Sequence, residues 1–163
     1  MISLILIIQL IEANWFSQTV NDWIGISAIP VLLGVLGGGP SIGIITAVIW
    51  TISTGLINGA FYGEVITLLS FSRVSMVLTT WWIFHCLIKR WMNKQLVIAC
   101  SIFCGLCAKT LYLFFYYFST ETISLISIPT QLLILLVQTF VYVFSVLAIM
   151  HQTLKYSKEL QEV

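Results

Sequence analysis

No charged residue lies between Asp22 and Glu64, and within that stretch a residue no larger than threonine recurs at every fourth position: Gly43, Ala47, Thr51, Gly55, Gly59 and Gly63. Positions four apart stack on one face of an α-helix, so the pattern describes a smooth seam against which a second helix backbone can lie. A segment without charge over such a length has little with which to face water. The sequence therefore predicts a helix inside a bilayer, with helix packing or partner binding as the role of the seam.

Composition leads to the same class independently. Hydrophobic residues make up 60% of the chain and charged ones 8%, with a mean hydropathy of +1.05. A water-soluble fold of this composition has too few polar groups to cover its surface. The net charge of +1 gives no reason to expect nucleic acid or an acidic ligand. Cys86, Cys100, Cys104 and Cys107 lie in or beside apolar runs without the spacing of a secreted disulfide framework, and they read as reduced and buried. The apolar start lacks a basic leader region and a small-residue cleavage site, so it reads as a retained membrane segment.

A bilayer core of about 30 Å needs roughly 20 helical residues. Six apolar runs are candidates: about Met1 to Trp15, Trp23 to Leu36, Ser41 to Asn58, Val65 to Ile88, Gln95 to Phe118 and Pro129 to Thr153. Asn21 and Asp22 break the first pair. Gly37-Gly38-Gly39-Pro40 breaks the second, because glycine permits a reversal and proline opens a helix well. Lys89, Arg90 and Lys94 cluster after the fourth run, and Lys155 and Lys158 follow the sixth. Both groups lie on the cytoplasmic side under the positive-inside rule, which places the N-terminus there too and turns Asp22, Glu64 and Glu121 outward. Trp81, Trp82 and Trp91 then form an inner aromatic anchor, with Trp15 and Trp23 as an outer one. The expected fold is all-α: a polytopic membrane protein of about six transmembrane helices with both termini cytoplasmic. It forms one integral membrane domain over residues 1–163, with a short helical tail at about 154–163.

No sequence motif carries an enzymatic reaction. The glycine run lacks the lysine and the preceding strand of a phosphate loop, and no metalloprotease helix, nucleophile elbow or close carboxylate pair occurs. Cys100, Cys104 and Cys107 share a helical stripe, but a thiolate metal site needs a fourth donor, and the nearest histidines, His85 and His151, are placed near the cytoplasmic interface. Packing is the favoured role for these cysteines, and neither a cofactor nor a metal is expected.

The intramembrane charges carry the stronger signal. A cation at bilayer depth costs at least about 2.5 to 3.5 kcal/mol, so Arg73 and Lys109 should turn inward toward a partner, water or a substrate. The structural alternatives are an ion pair or, for Arg73 especially, a snorkelling side chain. Glu12 is the membrane-embedded acid available as a counter-ion. Tyr112, Tyr116 and Tyr117 follow Lys109 and can line a cavity with it, although an outer interfacial belt is the simpler reading.

The order of these features resembles the family of the rod-shape-determining membrane protein MreD. The residues that carry the resemblance are Leu4 to Gln9 in a short first span, Gly39-Pro40-x-x-Gly43 opening a glycine-seamed helix, and Gly59-x-x-x-Gly63 closing it. A basic loop at Lys89 and Arg90, a proline-led sixth span and a basic tail follow in the same order. Where the family commonly carries an aspartate this chain has Gly55, and a carboxylate often found in the fifth span is replaced near Lys109, so neither acidic role carries over. The resemblance implies a non-enzymatic inner-membrane subunit of the bacterial cell-elongation machinery. Its implied partners are the bitopic scaffold MreC, MreB filaments and the peptidoglycan synthase complex. A second resemblance is to the substrate-binding S components of energy-coupling-factor vitamin transporters. It implies instead that Lys109, the tyrosines and Trp15 or Trp23 face a vitamin.

Overall fold

The computed structural model describes residues 2–15, 25–57, 63–90, 93–119 and 128–161. These residues form five helices: α1 (Ile2–Trp15), α2 (Ala28–Ile57), α3 (Gly63–Ile88), α4 (Lys94–Ser119) and α5 (Ile128–Gln161). No strand occurs among them. Four stretches are long and apolar enough to cross a membrane: Ala28–Leu56, Ser70–Ile88, Lys94–Phe115 and Leu132–Thr153. The molecule is thus all-helical, with the build of a multi-pass membrane protein. At 14 residues, α1 is about 21 Å long at about 1.5 Å per residue, short of a bilayer core.

The second and third expected runs belong to one element with a corner in it. Gly39, at φ 82° and ψ −177°, is the non-helical residue within α2. A side chain is strained at that φ, whereas glycine is not. Pro40 then opens the second arm, where its missing N–H does no harm. The bend is sharp. In a straight helix Val35 and Gly43 would lie about 12 Å apart along the axis, yet a Cβ on Gly43 would sit 2.8 Å from Val35 Cβ.

The two arms have different surroundings. The first, residues 28–38, is about 16 Å long and buried on every side over most of its length, with Ala28, Ile29, Val31, Leu32 and Val35 all in the core. A helix that is apolar all round is stable only when enclosed. Just before it, the Gly25 carbonyl accepts a 3.0 Å hydrogen bond from the Tyr142 hydroxyl, and Tyr142 lies midway along the apolar stretch Leu132–Thr153. The first arm therefore starts near mid-depth of that stretch. Its length is about half of a bilayer core of about 30 Å, too short to cross by itself.

The second arm, residues 40–57, carries the seam. Gly43, Ala47, Thr51 and Gly55 are buried, and Ile45, Val48, Ile52 and Leu56 form the exposed stripe opposite. Gly43 sits between the arms and α3: an added Cβ would also meet Val77 Cγ1 at 2.7 Å. The seam is thus an internal packing face, used within this chain. Its expected continuation requires a correction, because α2 is described to Ile57 and Gly63 opens α3. Gly63 belongs to the next helix, and Gly59 lies outside the described residues.

The closest helix pairing joins α3 to α4. At Gly105 the backbones approach so nearly that an added Cβ would collide with Thr80 Oγ1 and lie 2.8 Å from the Met76 carbonyl oxygen. Met76, Val77, Ile98, Ile102 and Leu106 fill the surrounding core. Asn93 starts α4 by accepting hydrogen bonds at Oδ1 from the Gln95 and Leu96 amides, at 3.1 and 3.3 Å. That N-cap satisfies amides that have no carbonyl partner within the helix. At the edge of the bundle, α5 buries the narrow stripe Leu135, Gln138, Tyr142 and Val146 and exposes Leu133, Leu136, Phe140 and Phe144. It continues helically to Gln161, as the spacing of the tail predicts.

Candidate functional site

Most hydroxyls in the apolar stretches bond to their own helix. Thr46, Ser53, Ser75, Ser101, Thr110 and Thr139 each donate to a carbonyl three or four residues back, which removes the cost of burying them. A set of polar groups that reach between helices converges around Trp50 on the second arm of α2.

Arg73 of α3 is only 7% exposed, and its guanidinium carbon lies 3.7 Å from the centroid of the Trp50 ring. Its Nη1 donates to Thr51 Oγ1 and Thr54 Oγ1, both at 3.2 Å. From the adjoining helix, the Lys109 ammonium lies 5.8 Å from the same ring. Both distances fall within the range of a cation–π attraction, which strengthens where water is excluded. Gln9 of α1, 4% exposed, donates from Nε2 to the Trp50 carbonyl at 3.0 Å and to Thr54 Oγ1 at 2.8 Å. Four helices meet at one tryptophan, three of them at its ring and α1 at its carbonyl.

The hydrogen bonds fix the orientation of the Gln9 amide. The Trp50 carbonyl can only accept, and the Thr54 hydroxyl already gives its hydrogen to that carbonyl at 2.6 Å. Thr51 likewise donates to the Ala47 carbonyl at 2.9 Å. Gln9 must therefore present nitrogen to Trp50 and Thr54, and among the described residues its buried Oε1 has no partner. An unmet buried acceptor costs about 1 to 3 kcal/mol.

Both cations turn inward, as their depth demands. Arg73 does not snorkel; the indole and two threonines hold it in place. Lys109 turns to Trp50, while Tyr112, one turn further along α4, is exposed, so these two do not line one cavity. The side chains of Glu12, Trp15, Tyr116 and Tyr117 lie outside the described residues, as do Trp23 and Trp91 altogether. Trp81 stacks on His85 with centroids 5.6 Å apart, and Trp82 is exposed. Cys100, Cys104 and Cys107 are free, half-buried thiols, and Cys86 is free and exposed rather than buried. Among the described residues no three His, Cys, Asp or Glu side chains come together as a metal site.

Sequence reasoning passed over Trp50 and Thr54, and named Gln9 only within the family resemblance. Each left a trace: an amide in an apolar helix, a tryptophan in the middle of a span instead of at its end, and a threonine sharing a face with Thr51. Comparison with protein-family models, curated proteins and solved structures finds no match to this chain.

Proposed function

We propose that this chain is a non-enzymatic subunit of the bacterial cell-elongation machinery in the cytoplasmic membrane. In this reading it binds an MreC-like bitopic scaffold and helps couple MreB-like filaments to the peptidoglycan synthase complex. The observation that carries the reading is the corner at Gly39, Pro40 and Gly43. These are the residues on which the resemblance to the MreD family rests, and they set two arms of α2 against each other and against α3. The polar interior adds support, since Gln9, Thr51, Thr54, Trp50 and Arg73 engage one another instead of lining up an acid, a base and a nucleophile. The vitamin-transporter reading draws less support, because Lys109 and Tyr112 diverge.

The topology that goes with this function has six membrane segments: α1, the two arms of α2, α3, α4 and α5, with the first arm entering at mid-depth. Lys89, Arg90 and Lys94 face the cytoplasm together with both termini, and the whole chain is one membrane domain. The test is affinity purification of the full chain from the membranes of its own cells in mild detergent, paired with depletion. Recovery of the scaffold and rounding of the depleted cells are expected. Normal rod shape after depletion, with no elongation protein recovered, refutes the proposal.

A further inference from the structure

We propose that the turn joining α3 to α4 binds one anionic phospholipid: Lys89, Arg90 and Lys94 take its phosphate, and the exposed stripe of Trp82 and Leu78 on α3 takes an acyl chain. The proposal goes beyond the elongation role and rests only on the build of a membrane protein.

Lys89, Arg90 and Lys94 are all exposed, and among the described residues none of their side chains makes an ion pair or a hydrogen bond. The two helices cannot neutralise them. No Asp or Glu occurs between Glu64 and Glu121. Glu64 stands at the opposite end of α3, about 37 Å along the helix from Lys89, and Glu121 follows the far end of α4 at Ser119. Lys94 opens α4 without an acidic residue in the first turn, where the partial positive charge of a helix end repels a cation and favours an anion. The backbone beneath these charges is held. The Arg90 amide donates to the Leu87 carbonyl at 2.9 Å and the Val97 amide to the Asn93 carbonyl at 3.2 Å. With paired axes about 8 to 10 Å apart, long side chains from the two helix ends can reach one phosphate group.

The surface beside the cations selects a lipid over a free anion. Leu78, Trp82 and Lys89 share one face of α3, and all three are exposed, opposite the packed face that holds Met76, Val77 and Thr80. From Leu78 to Lys89 the helix rises about 16 Å, the depth of one leaflet in a core of about 30 Å. Trp82 between them offers an amphipathic ring of the kind that collects where headgroups meet hydrocarbon. A phospholipid brings a phosphate and a chain of that length joined together. In the topology above it belongs to the cytoplasmic leaflet.

The experiment places the full chain in phosphatidylcholine nanodiscs and adds, as a minor component, phosphatidylglycerol or phosphatidylcholine with brominated acyl chains, which quench tryptophan on contact. Phosphatidylglycerol should show a relative affinity at least about fivefold higher, the contribution of a single well-placed cation. The triple variant Lys89→Gln, Arg90→Gln, Lys94→Gln should abolish the preference, and Lys89→Arg with Lys94→Arg should retain it. Trp82→Phe should remove most of the excess quenching. Equal quenching by the two lipids, a preference that survives the triple variant, or an excess untouched by Trp82→Phe overturns the proposal. So does an equal loss in Lys155→Gln with Lys158→Gln, since the attraction is then diffuse. Loss of the preference on adding inorganic phosphate at constant ionic strength also overturns it, because a free anion then fits the site. The side chain of Glu159 and residue Glu162 lie outside the described residues. A preference that emerges only when both are changed to glutamine refutes the site, because the tail then holds the cations.

Discussion

Gly105→Ala tests the close approach of α3 and α4. The new methyl group would lie 2.8 Å from the Met76 carbonyl oxygen and collide with Thr80 Oγ1. The carbonyl is backbone and cannot swing aside, so α3 and α4 must separate along the interface lined by Met76, Val77, Ile98, Ile102 and Leu106. Overpacking of this kind costs typically about 1–3 kcal/mol, against which alanine returns up to about 1 kcal/mol as the better helix former. With both a side-chain and a backbone atom in the way the overpacking cost sits at its upper end, which leaves a net loss of about 2 kcal/mol, roughly a thirty-fold change in the ratio of folded to unfolded protein. Gly37→Ala is the control, because nothing lies within 4 Å of an added Cβ there; it should be neutral or mildly stabilising. Thr80→Ala in the Gly105→Ala background should recover part of the loss, since it removes the hydroxyl but leaves the carbonyl. Unfolding in detergent can be followed with a dye that reacts with the half-buried thiols of Cys100, Cys104 and Cys107. Wild-type stability in Gly105→Ala, or an equal loss in Gly37→Ala, would refute the close approach.

Gly39→Ala should lower stability by about 1 to 3 kcal/mol, the cost of holding a side chain at a positive φ with an extended ψ, a region open essentially to glycine alone, in the same assay that leaves Gly37→Ala unharmed. Arg73→Lys keeps the charge but loses the planar stack on Trp50 and the paired threonine bonds; it should destabilise the protein by at least about 1 kcal/mol, and stability equal to wild type would deny the cluster a structural role. Gly43→Leu should disrupt the contact with Val35 and Val77, whereas Ile52→Leu on the exposed stripe should be mild; alike behaviour in a co-purification and stability assay would reduce the seam to composition. Reporter fusions after Asn93 and at the C-terminus should both report cytoplasm and one near Glu121 the outside, and opposite faces for the first two would remove the six-segment topology.

Helix content, the approximate ends of α3, α4 and α5, and the inward turn of both cations were legible in the sequence. Each follows from a local rule or a one-dimensional cost: a run of apolar residues must hide its backbone polar groups in a helix, and a charge within it must find company. The inner face of the second arm of α2 was legible for the same reason, since spacing by four needs only the helix period. Tertiary structure alone decided what lies against that face. Gly43 meets Val35 because Gly39 turns a corner, and how far a glycine bends a chain depends on what the arms find to pack against. It also decided that Gly63 starts a new helix, although its spacing continues the old one, because periodicity does not mark where a helix ends. The assembly at Trp50 was the least legible. Gln9, Trp50, Arg73 and Lys109 come from four helices, and nothing local in their sequence records a distance across a bundle. Packing set that distance.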